Sequence, residues 1–340
     1  MAHTRISTYW PPDIDPTKAP IAFGERALPK LKEELQSPEL LTRQRALKAL
    51  TDLVHDPEFA YQAIHIGFLD SLKLLLLDED NTVRQSTTEV FSILAAHNVG
   101  RNGFLHSEVI VPLSKLLDDP VDACRRNVHR AFELLSEFPD GSAGLVEAQL
   151  IAQFVLKLKT ELEEIQELIL DTLHFCLREE ASQALNAGAV TVLKEKLSHS
   201  SVPIRNKAAR ALMGIMVPLE GKNKACEEGV IPLLVQLLKD KDAEVRANAA
   251  GALMNATITT KGKYAALHAE AITALLPLVD DQLSKVRLNA IKALTMMSEA
   301  SAGRKILLEH VNKLRGRLND PSEAVKRATE ILIQVIQWKP

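Results

Sequence analysis

Apolar positions along the chain recur with helical rather than alternating period. Offsets of three, four and seven residues dominate, in segments of about 8–15 residues, and Gly, Pro, Asp and Ser punctuate them. No convincing period-two run of Val, Ile or aromatic residues interrupts that pattern, so the expected fold class is all-α. Comparing segments exposes a longer period. Asp242-Ala-Glu-Val-Arg-Ala-Asn-Ala-Ala-Gly-Ala-Leu253 aligns with Leu283-Ser-Lys-Val-Arg-Leu-Asn-Ala-Ile-Lys-Ala-Leu294, and their arginines, Arg246 and Arg287, lie 41 residues apart. The same step finds Arg43, Arg84, Arg125, a degenerate Gln166, Arg205 and finally Lys326, with successive spacings of 41, 41, 41, 39, 41, 41 and 39.

Other columns hold this register. Seven residues after the basic position stand Leu50, Phe91, Phe132, Leu173, Leu212, Leu253, Leu294 and Ile333, all apolar. One residue earlier the column is mostly small, with Ala49, Ala131, Ala211, Ala252 and Ala293. Offsets of three, six and seven trace one face of a helix, so each repeat is expected to contain a helix packed along that stripe. A second apolar helix precedes it, seen most clearly in Gly229-Val-Ile-Pro-Leu-Leu-Val-Gln-Leu-Leu-Lys-Asp240. Gly67, Gly188 and Gly229 are placed to end the helix before, and Pro112 and Pro232 to stand in a first turn. Asp78-Glu-Asp80, Asp118-Asp-Pro120 and Asp240-Lys-Asp242 supply turn and N-cap residues.

The run Gly-Val-Ile-Pro-Leu-Leu-Val-Gln-Leu-Leu, followed by Glu-Val-Arg-Ala-Asn-Ala-Ala-Gly-Ala-Leu-Met-Asn-Ala, resembles an armadillo repeat, with residues 229–268 the most typical copy. A HEAT array is the near alternative. The resemblance spans about residues 25–338 and implies an α-solenoid of about eight three-helix units wound as a right-handed superhelix with a concave groove. The domain reading is therefore a Pro-rich segment, 1–24, expected either to stay extended or to cap the first unit, followed by an armadillo array of about eight units, 25–340. The start Tyr-Trp-Pro-Pro-Asp-Ile-Asp-Pro-Thr-Lys-Ala-Pro, running straight into the repeats, further resembles the armadillo subunits of the radial spokes of motile cilia and flagella. That likeness implies a non-catalytic scaffold in the axonemal cytoskeleton whose partners are other radial-spoke, axonemal and microtubule-doublet-associated proteins. The competing reading is a soluble adaptor of nuclear-transport or cochaperone type.

Peptide-gripping armadillo proteins such as importin-α and β-catenin carry an asparagine ladder on their third helices. In this chain that column, nine after the basic position, reads Asp52, Ile93, Leu134, Phe175, Gly214, Asn255, Met296 and Val335, and only Asn255 fits. The column four residues earlier, tryptophan in importin-like proteins, reads Lys48, Glu89, Arg130, Asp171, Arg210, Gly251, Lys292 and Ile331. Its alternating charges read either as a solvated face or as a polar docking groove.

The chain has 340 residues, 46% hydrophobic and 25% charged, with net charge −3, which excludes a disordered chain and argues against a dedicated nucleic-acid binder. No apolar run approaches the ~20 residues that cross a bilayer, and the Pro-rich start does not read as a secretory signal. Together these describe a soluble intracellular protein with no membrane, nucleic-acid or small-molecule partner. Residues 147–180 hold eight acidic and three basic residues, whereas 285–327 hold ten basic and four acidic, among them Arg315 and Arg317. Those two arginines, Trp10 beside its Pro-Pro pair, Asn255 and the charges Lys48, Glu89, Arg130, Asp171, Arg210 and Lys292 are the candidate protein-binding residues. No catalytic constellation, cofactor loop or metal-ligand spacing is present. Cys124 and Cys176 read as core residues, Gly141–Gly144 as a loop, and Trp338 as a cover over the last apolar stripe beside Ile331 and Val335.

Overall fold

A computed structural model describes residues 27–338; Trp10, with the rest of 1–26, lies outside the described residues. Among those described there are only helices and turns. They fall into two compact blocks, divided between Leu150 and Ile151. In the first, helices Ala27–Glu34 and Leu40–Leu53 are followed by two three-helix repeats whose long members are Asn81–Ala96 and Asp122–Ser136, and then by Pro139–Glu147. In the second, the long helices are Glu163–Glu179, Val202–Ile215, Ala243–Ala256, Ser284–Ser298 and Glu323–Gln337. Two shorter helices precede each of the last four, and long helices of successive repeats pack side by side within each block.

The column expected to face inward does so. Leu50, Phe91 and Phe132 in the first block, and Leu173, Leu212, Leu253 and Leu294 in the second, are fully buried. Each such side chain contributes about 1.5–3 kcal/mol of hydrophobic stabilisation. Phe91 also meets Phe104 edge-on at 5.5 Å. Ile333 is only half-buried, because no described helix follows to cover it.

The junction between the first and second helices of a repeat adopts the left-handed conformation at Gly67, Gly188 and Gly229, as their residue type suggests. Glu108, Gln149 and Glu270 hold the same register with φ of 51°, 59° and 57°, a conformation that their side chains do not announce. Asp56, Asp80 and Asp242 cap helix N-termini through their carboxylates. Pro112 and Pro232 fall in first turns.

Two local expectations fail. Gly141–Gly144 is not a loop but part of helix Pro139–Glu147. A Cβ on Gly141 would sit 2.1 Å from the Leu135 carbonyl oxygen, so the absent side chain lets that helix start hard against the end of the one before. Gly100, Gly221, Gly262 and Gly303 make the same close approach in other repeats. Trp338 does not cover the last stripe: it is 57% exposed and Ile331 53% exposed, with the Arg304 guanidinium 5.1 Å from the Trp338 ring centre. The cation–π contact draws the indole toward Arg304.

Candidate protein-interaction surface

Five long helices turn their basic position toward the turn of the following repeat. Arg43 meets Asp78 at 3.0 Å and Arg84 meets Asp119 at 2.7 Å in the first block. Arg205–Asp240 (2.9 Å), Arg246–Asp281 (2.8 Å) and Arg287–Asp320 (2.8 Å) repeat the pairing in the second. The same arginines donate to backbone carbonyls five and six residues upstream, as Arg246 does to Lys241 and Asp240. The aspartates accept the backbone N–H two residues on, as Asp240 does from Asp242. Each pair therefore ties a helix, the turn before it and the turn of the next repeat. Burial alone would raise the Asp119 and Asp240 pKa values, but the arginine hydrogen bonds, backbone donors and charges outweigh it and hold both below the ordinary value. For Asp320 the Arg287 hydrogen bond is the leading cause of the same lowering.

The sequence showed both columns but not their partnership. The signal was the spacing, 35 residues from arginine to aspartate in four pairs and 33 in the last. Gln166 and His199 depart from the two columns together, whereas Arg125 keeps the arginine with Thr160 at the aspartate position. In the former case Lys196 donates to Gln166 Oε1 at 2.7 Å, and the His199 ring accepts the Ser201 N–H at 3.1 Å.

With the basic column committed to internal pairing, the other charged columns can be placed one by one. In the first block, Lys48 and Glu89 are half-buried; Arg130 is exposed and pairs within its own helix with Glu133 at 2.7 Å. In the second, Asp171 receives both Lys207 at 2.9 Å and Arg210 at 3.5 Å, and Lys207 also reaches Glu167 at 3.1 Å. Burial opposes the Lys207 charge, but Asp171 and Glu167 outweigh it and raise its pKa. Arg210 stacks over Phe175 at 5.3 Å. Burial, reinforced by the Arg210 charge, lowers the neighbouring His174 to about 4, so it is neutral at physiological pH. The sign alternation in this block is thus largely neutralised in place.

Asn255 is half-buried and donates its amide to the Met213 carbonyl at 2.9 Å, an internal contact between repeats. Lys292 and Arg315 are exposed without a carboxylate partner among the described residues. Arg317 instead sits 3.5 Å from Asp280 and 3.4 Å from Asp320. The two arginines of the basic end are therefore not equivalent, one facing solvent and the other bound into the fold.

Cys124 and Cys176 are fully buried, and burial pushes their thiols up to about 11 and about 12. Neither forms a thiolate at neutral pH. Among the described residues no group of three or more His, Cys, Asp or Glu is placed to hold a metal ion, and no helix is long and apolar enough to cross a membrane.

Residues 190–294 match the family model of HEAT repeats. The crystal structure of an engineered protein aligns with 92% of this chain and 79% of its own length at 21% identity, with a TM-score of 0.87. A designed armadillo repeat protein aligns over 91% of this chain and 99% of its own, at 20% identity and a TM-score of 0.44. Residues 190–294 are thus similar to HEAT repeats, and the fold is an all-α helical-repeat array built from recurring multi-helix units.

Proposed function

We propose that this chain is a non-catalytic scaffold subunit of the axonemal radial spoke in motile cilia and flagella, where it joins other spoke proteins and so supports the regulation of dynein-driven beating. Its Pro-rich start and run of repeats resemble the radial spoke head 14 homologue along essentially the whole sequence. The observation that favours a scaffold over a peptide-carrying adaptor is the state of the third-helix columns. The single ladder asparagine, Asn255, is engaged with Met213, and no tryptophan stands in the neighbouring column. A face without free backbone-gripping amides suits broad contacts between folded surfaces rather than capture of an extended peptide. The partners on this reading are radial-spoke and axonemal proteins, including those on the doublet microtubules. Lys48, Glu89, Arg130, Lys292 and Arg315 supply polar contacts. Detergent extraction of demembranated axonemes tests it: a scaffold subunit stays with the axoneme and is released together with other spoke components at high salt. Recovery of the protein entirely in the detergent-soluble fraction would favour the soluble adaptor.

A further inference from the structure

One junction of the second block departs from its counterparts. Helix Glu163–Glu179 ends thirteen residues after Gln166, whereas Val202–Ile215 and Ala243–Ala256 end ten after Arg205 and Arg246. The helix that follows it, Ser182–Asn186, is five residues long, against nine in Leu219–Glu227 and Thr260–His268. The glycine that lets other first helices start against the preceding carbonyl, as at Gly221 and Gly262, is Ser182 here. An overlong helix followed by a short one leaves a cleft of about 290 Å³ against the start of the next repeat. Buried Leu177 and Leu185 line it together with Val217, which is 54% exposed. Leu219, two residues on, is 64% exposed and is the apolar exception in a column that otherwise reads Glu180, Thr260 and Ser301 in this block. Exposed apolar side chains beside an open cleft mark a surface that something covers.

Charge says what kind of group fits. Three carboxylates, Glu179, Glu180 and Glu220, and a single cation, Arg178, stand in the lining. Glu180 is spent on the Ser182 N–H, which it accepts at 2.5 Å. Glu179 and Glu220 are exposed and have no cationic partner among the described residues. The lysines of the following helix are turned inward, Lys222 donating to the Val217 carbonyl and Lys224 to the Leu185 carbonyl at 2.9 Å. Those two bonds fix the walls, so the cleft is formed before anything enters it and the ordering cost of binding is small. Its volume is at the small end for ligand pockets and suits one bulky side chain. Free carboxylates at the edge repel phosphate and attract lysine or arginine.

We propose that this cleft docks a segment of another protein that carries a bulky apolar side chain flanked by lysine or arginine. The apolar group enters beside Val217 and Leu219, and the cations meet Glu179 and Glu220. The idea is independent of the ciliary reading, because its test needs only the purified full-length chain. The probe is a fluorescein-labelled helical peptide of leucine and lysine, followed by anisotropy, with a leucine–glutamate peptide of equal length as control. Saturable binding is expected for the first peptide alone, and weaker in high salt. Leu219→Ser should weaken it about tenfold, the usual effect of losing one apolar side chain from a contact. Glu179→Gln combined with Glu220→Gln should weaken it and flatten its salt dependence. Both variants should keep the wild-type circular dichroism, since the altered side chains are exposed. Ile306→Ser, at an exposed apolar residue outside the cleft, should bind as wild type does. No binding of the leucine–lysine peptide, equal binding of the two peptides, or equal affinity in all variants would overturn the proposal. Self-association of the peptide-free chain that Leu219→Ser abolishes in sedimentation velocity would overturn it too, assigning the cleft to a second copy.

Discussion

At the scale of single residues, one repeat position shows what the backbone demands and what a side chain can conceal. The left-handed junction is glycine at Gly67, Gly188 and Gly229 but glutamate or glutamine at Glu108, Gln149 and Glu270. A Cβ at position 188 would meet nothing within 4 Å, so Gly188→Ala isolates backbone strain from crowding. It should destabilise the protein by about 1 kcal/mol, the usual penalty for an L-residue forced into that region. Glu270→Gly, in the same register, should do the reverse, with a gain reduced by the greater freedom of glycine in the unfolded chain. Urea melts of the two variants beside wild type check both signs; equal effects would mean that the junctions are not equivalent.

At the scale of elements, the arginine–aspartate ties decide how one repeat is fixed to the next. The Arg287–Asp320 pair is the most enclosed, both side chains being nearly inaccessible and joined by two hydrogen bonds of 2.8 Å. Asp320→Ala leaves a buried guanidinium without its counter-charge and should lose about 3–5 kcal/mol. The pH dependence follows from the lowered Asp320 pKa. Its stabilisation is complete above the unfolded aspartate value of about 3.9 and is lost as pH falls through the folded value beneath it. Asp119 and Asp240 act in the same direction. Stability measured from pH 6 down to pH 2 should therefore fall less steeply in Asp320→Ala than in wild type. Much of this level was legible in the sequence: the 41-residue step, the inward column and the turn aspartates follow from side-chain type and periodicity. The ties were not, because register places Arg246 and Asp281 on their own elements without saying which faces meet. The glycines at 100, 141, 221, 262 and 303 were missed for a related reason, since they are required by a neighbouring carbonyl rather than by their own φ. Among the candidate surface residues, sequence gave no means to separate Arg315 from Arg317, whose difference depends on the location of Asp280.

At the scale of the whole molecule, a repeat array must stop its own stacking from continuing between molecules. The row that each long helix of the second block presents to its successor lies four and eleven residues after the basic position. It reads Leu170, Ala209, Ala250 and Ile291, then Leu177, Met216, Thr257 and Ser298, all buried. In the last helix the same row is Glu330 and Gln337, flanked by Arg327 and Gln334, and all four are exposed. A carboxylate at 330 opposes burial there far more strongly than it weakens the helix that carries it, because leaving water unpaired is costly for a charge. Glu330→Ile combined with Gln337→Leu would recreate an inner row on the last described helix, next to the half-buried Ile333. The doubly substituted protein should keep its helicity yet associate with rising concentration in sedimentation velocity. Wild type should show no such dependence through this face. A monomeric double variant across the micromolar range would mean that Arg327 and Gln334 suffice to block stacking, and adding Arg327→Leu should then expose it.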